Sequence, residues 1–219
     1  MSLPAFEAVL CDMDGLLLDS ERLSMRALVE AGAALGADLP MAFCHSMIGC
    51  PMDTCAAMVL AREGADFPVD RLVALHETIL AGFIEDGLLA TRPGAEALLD
   101  ALEHLGLKRA VVTSSARGRA THHLQKAGLL HRFERLVSRD DVSRGKPDPE
   151  PYLLAARLLE ASPSSCLALE DSHNGVRAAH AAGIRVIMVP DLLPPNPEMQ
   201  EKAWRVLPDL HAVVPLLRK

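Results

Sequence analysis

The run Leu10-Cys11-Asp12-Met13-Asp14-Gly15 ends an apolar stretch with two carboxylates two residues apart, followed at once by glycine. An apolar strand rarely ends this way for packing reasons. Two carboxylates held close repel each other and must be paired or put to use. One can act as a nucleophile while the other moves protons, or both can hold a metal. Three other groups stand at comparable places. Thr113-Ser114-Ser115 follows Val111-Val112, Lys146 sits in Gly145-Lys146-Pro147-Asp148-Pro149, and Glu170-Asp171 follows Leu167-Ala168-Leu169. Thr113 and the backbone N–H groups after it can donate to an oxyanion. Lys146 adds a positive point charge, and Pro147 favours an extended backbone before it. Asp12, Glu170 and Asp171 offer hard oxygen ligands for Mg²⁺. A carboxylate attacking a phosphate dianion meets charge repulsion, which a divalent cation and a lysine offset. The set therefore suits phosphoryl transfer to an aspartate.

The elements that must position these groups are legible as apolar runs. Ala8–Met13, Arg109–Thr113, Arg135–Val137, Cys166–Glu170 and Arg185–Val189 read as strands buried on both faces. Helical periodicity runs over Glu21–Gly36, with Leu23, Ala27, Leu28, Ala31 and Leu35 on one face. Pro149–Ala161 follows with Tyr152, Ala155, Ala156 and Leu159, and Asn174–Gly183 ends at a glycine suited to a C-cap. From about residue 93 strands and helices alternate, which predicts a Rossmann-like parallel sheet with helices on both faces. Residues 17–91 carry helical periodicity and no convincing strand, so residues 1–16 and 92–219 are expected to form the sheet domain and 17–91 an inserted helical domain. An edge strand is expected near Ala203–Leu207. Ligands of open parallel sheets bind outside the carboxyl ends of the strands. The four groups above converge on that edge.

Bulk properties narrow the partners. The 219 residues are 50% hydrophobic but only 3% aromatic, so the core is built from Leu, Val, Ala and Met. A net charge of −7 argues against nucleic acid or an anionic membrane as partner, but not against a small phosphorylated metabolite. No segment approaches the roughly 18 apolar residues of a membrane span. Cys11, Cys44, Cys50, Cys55 and Cys166 are odd in number and lack CxxC spacing, so reduced thiols in a cytoplasmic protein are expected. A monomer is the default expectation.

Asp12-x-Asp14-Gly15, the Val-Val-Thr113-Ser114 run, Lys146-Pro147 and Glu170-Asp171 resemble, in order, the four motifs of the haloacid dehalogenase superfamily. Asp12 through Glu21 and Glu170-Asp171-Ser172-x-Asn174-Gly175 are similar to its sugar-phosphate phosphatases and β-phosphoglucomutase, which carry a helical cap after the first motif. The resemblance spans essentially the whole chain. It implies Asp12 as nucleophile and Asp14 as proton donor and later base. It implies Thr113, the Ser114 amide and Lys146 as phosphate-binding. Mg²⁺ would be held by Asp12, the Asp14 carbonyl and Asp171, with Glu170 ligating directly or from behind. Asp14 also favours phosphate monoesters over carbon–halogen chemistry.

The cap must separate hydrolase from mutase. The mutase pattern has a histidine where Ser24 stands, and an arginine where this chain has Pro51-Met52-Asp53. Both departures favour a Mg²⁺-dependent phosphatase acting through an aspartyl-phosphate, with a sugar phosphomutase as the alternative. A non-catalytic binding protein on this scaffold would need a broken motif, and none is visible. Gly49 and Asn174 are candidate substrate contacts. The adjacent His122 and His123 are expected at the surface, and Cys44-His45 in a structural or surface role.

Overall fold

The computed structural model describes residues 6–48, 50 and 52–217; Gly49 lies outside them. The chain divides into two compact units, Met1–Asp19 with Ala90–Lys219, and Ser20–Leu89.

Among the described residues, the first unit is built on a parallel sheet of six strands. They are β1 (Ala8–Cys11), β2 (Lys108–Val112), β3 (Arg135–Val137), β4 (Cys166–Glu170), β5 (Arg185–Met188) and β6 (Arg205–Val206), ordered β3-β2-β1-β4-β5-β6. β6 is the edge strand expected near Ala203–Leu207, and it pairs parallel with β5. The first strand is shorter than its apolar run, because its ladder ends at Cys11. Both faces are covered. Ala8, Leu10, Ala110, Ala168 and Val186 join one buried cluster, and the alternating Val9, Val111, Leu167, Leu169 and Ile187 are buried outside it. That is why the strands read as continuous apolar runs rather than alternating ones.

The helical unit comes between β1 and β2 in the chain. It holds α1 (Ser20–Ala34), α2 (Met41–Ser46), α3 (Met52–Glu63) and α4 (Val69–Glu85). Leu23, Ala27 and Ala31 of α1 are buried as the periodicity predicts. Ser24 Oγ and His76 Nε2 share a hydrogen bond at 2.9 Å, joining α1 to α4. The two connecting segments pair with each other. The Arg92 N–H donates to Leu17 O at 2.8 Å and Asp19 N–H to Ala90 O at 2.9 Å, which ties 17–19 and 90–91 to the sheet unit.

The sheet unit's helices are α5 (Ala95–His104), α6 (Arg117–Lys126), α7 (Glu150–Leu158), α8 (His173–Ala181), α9 (Pro197–Lys202) and α10 (Val214–Leu217). α8 stops in a Schellman arrangement. Gly183 has φ +71°, and the Ile184 N–H donates back to Ala179 O at 3.1 Å. Alanines dominate where α7 and α8 meet the sheet. Tyr152 of α7 is the large side chain there, and it is fully buried.

Candidate active site

Neighbouring strands bring the expected residues together at one sheet edge. Cys11 is level with Val111 on one side and Leu169 on the other, so Asp12, Val112 and Glu170 follow at the same height. The Asp12 N–H still donates to Leu169 O at 3.0 Å, and the Thr113 N–H to Val137 O at 2.9 Å. Side chains leaving the sheet here start from an anchored backbone.

Lys146 arrives from the loop after β3, ahead of a cis peptide to Pro147. Its Nζ donates to Asp12 Oδ1 at 2.5 Å, to Glu170 Oε1 at 2.5 Å and to Val112 O at 2.8 Å. The three charged side chains are only 4%, 10% and 0% exposed for Lys146, Asp12 and Glu170. Burial works against the charge on Lys146. Asp12 and Glu170 outweigh it and hold the ammonium above its usual pKa. Burial pushes the Asp12 carboxyl well above the ordinary carboxylate range; Lys146 opposes that, and Glu170 adds to it.

Asp12, Glu170 and Asp171 each offer a carboxylate oxygen, all within 4.8 Å of one another. Two glycines make room for them. A Cβ on Gly15, whose φ is +80°, would lie 2.3 Å from Asp171 Oδ2. A Cβ on Gly175 would lie 1.8–2.0 Å from the Glu170 carboxylate. Glu170 is already heavily bonded. Its Oε1 also accepts from the Tyr152 hydroxyl at 2.6 Å, and its Oε2 accepts from Ser172 Oγ at 3.1 Å and from the Ser172 N–H at 3.3 Å. Ser172 is the N-cap of α8 and accepts from the Gly175 N–H at 3.1 Å, so the helix start and the acidic pair form one structure.

Asp14 Oδ2 accepts from Ser115 Oγ at 2.8 Å, and the Ser115 N–H donates to Thr113 Oγ1 at 3.0 Å. Thr113 is buried and Ser114 exposed beside it. Asn174 is exposed in the first turn of α8, where its Oδ1 accepts from Arg177 at 3.0 Å. Gly49 lies outside the described residues.

One expectation is corrected. His123 is only 4% exposed and is not at the surface, because α6 turns that side of the helix, with Ala120 and Leu124, into the core. Burial, then Arg119, holds its ring below the usual pKa, and Asp14 opposes that shift. Tyr152, Ser115 and Ser172 also have contacts at the site that their sequence context did not assign. Tyr152 carried a signal: it is the single tyrosine of the chain, set on the apolar face of a helix, and a buried tyrosine hydroxyl needs a partner.

Comparison with known proteins shows the family. The Bacillus subtilis protein named "Putative phosphatase YhcW" is 37% identical over 186 residues, covering 84% of each chain. The "Phosphorylated carbohydrates phosphatase" of Thermotoga maritima is 33% identical over 182 residues, covering 83% of each. The crystal structure of CbbY from Rhodobacter sphaeroides in complex with phosphate superposes with a TM-score of 0.77 at 28% identity, covering 95% of this chain and 96% of that one. Residues 9–189 match the model of the haloacid dehalogenase-like hydrolases, and the chain belongs to that family.

Proposed function

We propose that the protein is a Mg²⁺-dependent phosphatase that hydrolyses a small phosphorylated sugar or related monoester through an aspartyl-phosphate. The observation that carries this reading is the buried Lys146 ammonium shared by Asp12 and Glu170, beside Thr113 and Asp171. A buried carboxylate with a lysine on one oxygen is placed to attack an electrophile that brings negative charge of its own.

The donor set fits a hard divalent cation. Three carboxylates against one ammonium leave two negative charges, which one such ion balances. Asp12, Asp171 and the Asp14 carbonyl would hold it. It would supply charge that keeps Asp12 ionised despite burial and offsets the repulsion between Asp12 and the phosphate.

The remaining chemistry belongs to the chain. An Asp12 oxygen attacks phosphorus, and the bond from phosphorus to the leaving oxygen breaks. Asp14 delivers a proton to that oxygen. Thr113, the Ser114 N–H and Lys146 stabilise the transferring phosphoryl oxygens. Water then attacks the phosphorus of the aspartyl-phosphate and gives its proton to Asp14. The bond from phosphorus to Asp12 breaks and the carboxylate is restored. Ser115 holds Asp14 in place for both proton transfers.

The names of the Bacillus and Thermotoga relatives support phosphatase chemistry, and the second supports a carbohydrate leaving group. Ser24, engaged with His76, supports hydrolysis over transfer between sugar hydroxyls. The test is phosphate release from an aryl phosphate with Mg²⁺. The parent protein is expected to turn over, and Asp12→Asn to lose at least about 10³-fold in kcat. Undiminished release by pure Asp12→Asn would show the mechanism to be wrong.

A further inference from the structure

Lys146 has three ammonium protons, and all are placed: on Asp12 Oδ1, Glu170 Oε1 and Val112 O. To bind a phosphate oxygen it must withdraw one of them. Withdrawal from Glu170 would normally be costly, because Glu170 is fully buried and its Oε1 would lose a charged donor. Here Oε1 has a second donor, the Tyr152 hydroxyl at 2.6 Å, and the Tyr152 ring centroid lies 5.3 Å from Lys146 Nζ. Oε2 is occupied by Ser172.

We propose that Tyr152 is a positioning residue that keeps Glu170 satisfied while Lys146 moves from Glu170 to a phosphate oxygen. The inference rests on the phosphatase reading. It also separates the roles of the two acids after β4. With Tyr152 on one oxygen and Ser172 on the other, Glu170 holds Lys146 and leaves the cation to Asp12 and Asp171.

Two experiments test this on the full-length protein. In the first, the parent, Tyr152→Phe, Glu170→Gln and the double variant are assayed with an aryl phosphate and Mg²⁺. Binding of inorganic phosphate in the presence of Mg²⁺, and of Mg²⁺ alone, is measured by calorimetry. Tyr152→Phe is expected to weaken phosphate binding and kcat/KM about tenfold while leaving Mg²⁺ affinity within about twofold. In the Glu170→Gln background the same change is expected to cost under about twofold, since the residue acts through Glu170. Phosphate binding and kcat/KM unchanged in Tyr152→Phe, or a full loss in the Glu170→Gln background, would overturn the inference.

The second experiment uses the single tyrosine of the chain. Biosynthetic 3-fluorotyrosine labels Tyr152 alone. Its ¹⁹F resonance is expected to move when inorganic phosphate is added to the Mg²⁺-loaded protein, and a resonance unmoved at saturating phosphate also counts against the inference. A parent protein that releases no phosphate overturns the phosphatase reading itself, and with it the inference. An active parent with an indifferent Tyr152→Phe overturns the inference alone.

Discussion

Lys146 is the residue on which the site's charge balance turns. Its side chain is almost fully buried against two carboxylates, and removing it takes the cation from both. Breaking a buried pair from one side costs about 3–5 kcal/mol, far more than a surface pair is worth. Lys146→Met is therefore expected to lower unfolding free energy by about 3 kcal/mol in Mg²⁺-free urea titrations. It should also lower kcat about 10²–10³-fold, the usual loss when one oxyanion-stabilising group is removed. An unaltered urea midpoint would mean that the pair contributes nothing to folding. At this scale the sequence was informative about residue type and order. Asp12, Thr113, Lys146 and Glu170 were legible because each ends or follows an apolar run or precedes a proline. Tyr152 was legible only as a buried hydroxyl in need of a partner, since helical spacing does not say which polar group waits there; His123 was not, because adjacent histidines on a helix face different ways and nothing local says which one turns inward.

Elements decide how firmly those residues are held. The 3₁₀ turn Arg139–Asp141 follows β3 and leads toward the Lys146 loop. Asp141 Oδ2 closes it by accepting from the Ser138 N–H at 2.7 Å, Ser138 Oγ at 2.6 Å and Arg117 at 2.5 Å. Burial works to raise the Asp141 pKa. The Arg117 and Ser138 bonds outweigh it and bring the carboxyl from 3.8 down to about 2. A carboxyl depressed by folding stabilises above its unfolded pKa, and that stabilisation is lost as pH falls through the folded value. Asp141→Asn is thus expected to cost about 1 kcal/mol at pH 7, after discounting for partial exposure, with the difference from parent vanishing between about pH 4 and pH 2. Urea unfolding of both proteins across that range checks it; a difference that grows toward pH 2 has the wrong sign. Hydroxyl and carboxylate residues beside strand ends hint at such turns. Which donor reaches which oxygen depends on the arrival of Arg117 from another segment, and local sequence does not record that.

For the molecule as a whole, a cation held at the proposed site would couple that site to stability. A ligand that binds only the folded state stabilises it by mass action, about 2.7 kcal/mol at a hundredfold excess over Kd. For a chain of this size that corresponds to a rise in Tm of about 5–10 °C. Mg²⁺ is expected to raise Tm by that order in the parent and far less in Asp171→Asn, and chelation with EDTA to abolish turnover; differential scanning calorimetry reads the first two. Equal rises in both proteins would place the stabilising ion elsewhere. No helix among the described residues is long and apolar enough to cross a membrane.

By itself the sequence determined the strands, the helical insert and the four acidic, hydroxyl and basic groups at the carboxyl edge. Apolar continuity, helical period and residue chemistry are local properties, written in adjacent positions. The tertiary structure decided which groups meet. The order β3-β2-β1-β4 puts Lys146 between Asp12 and Glu170, 134 and 24 residues away, and α7 brings Tyr152 onto the same Glu170 oxygen from 18 residues away. Those contacts follow from sheet order and packing against small alanine side chains, and no single segment of sequence contains either.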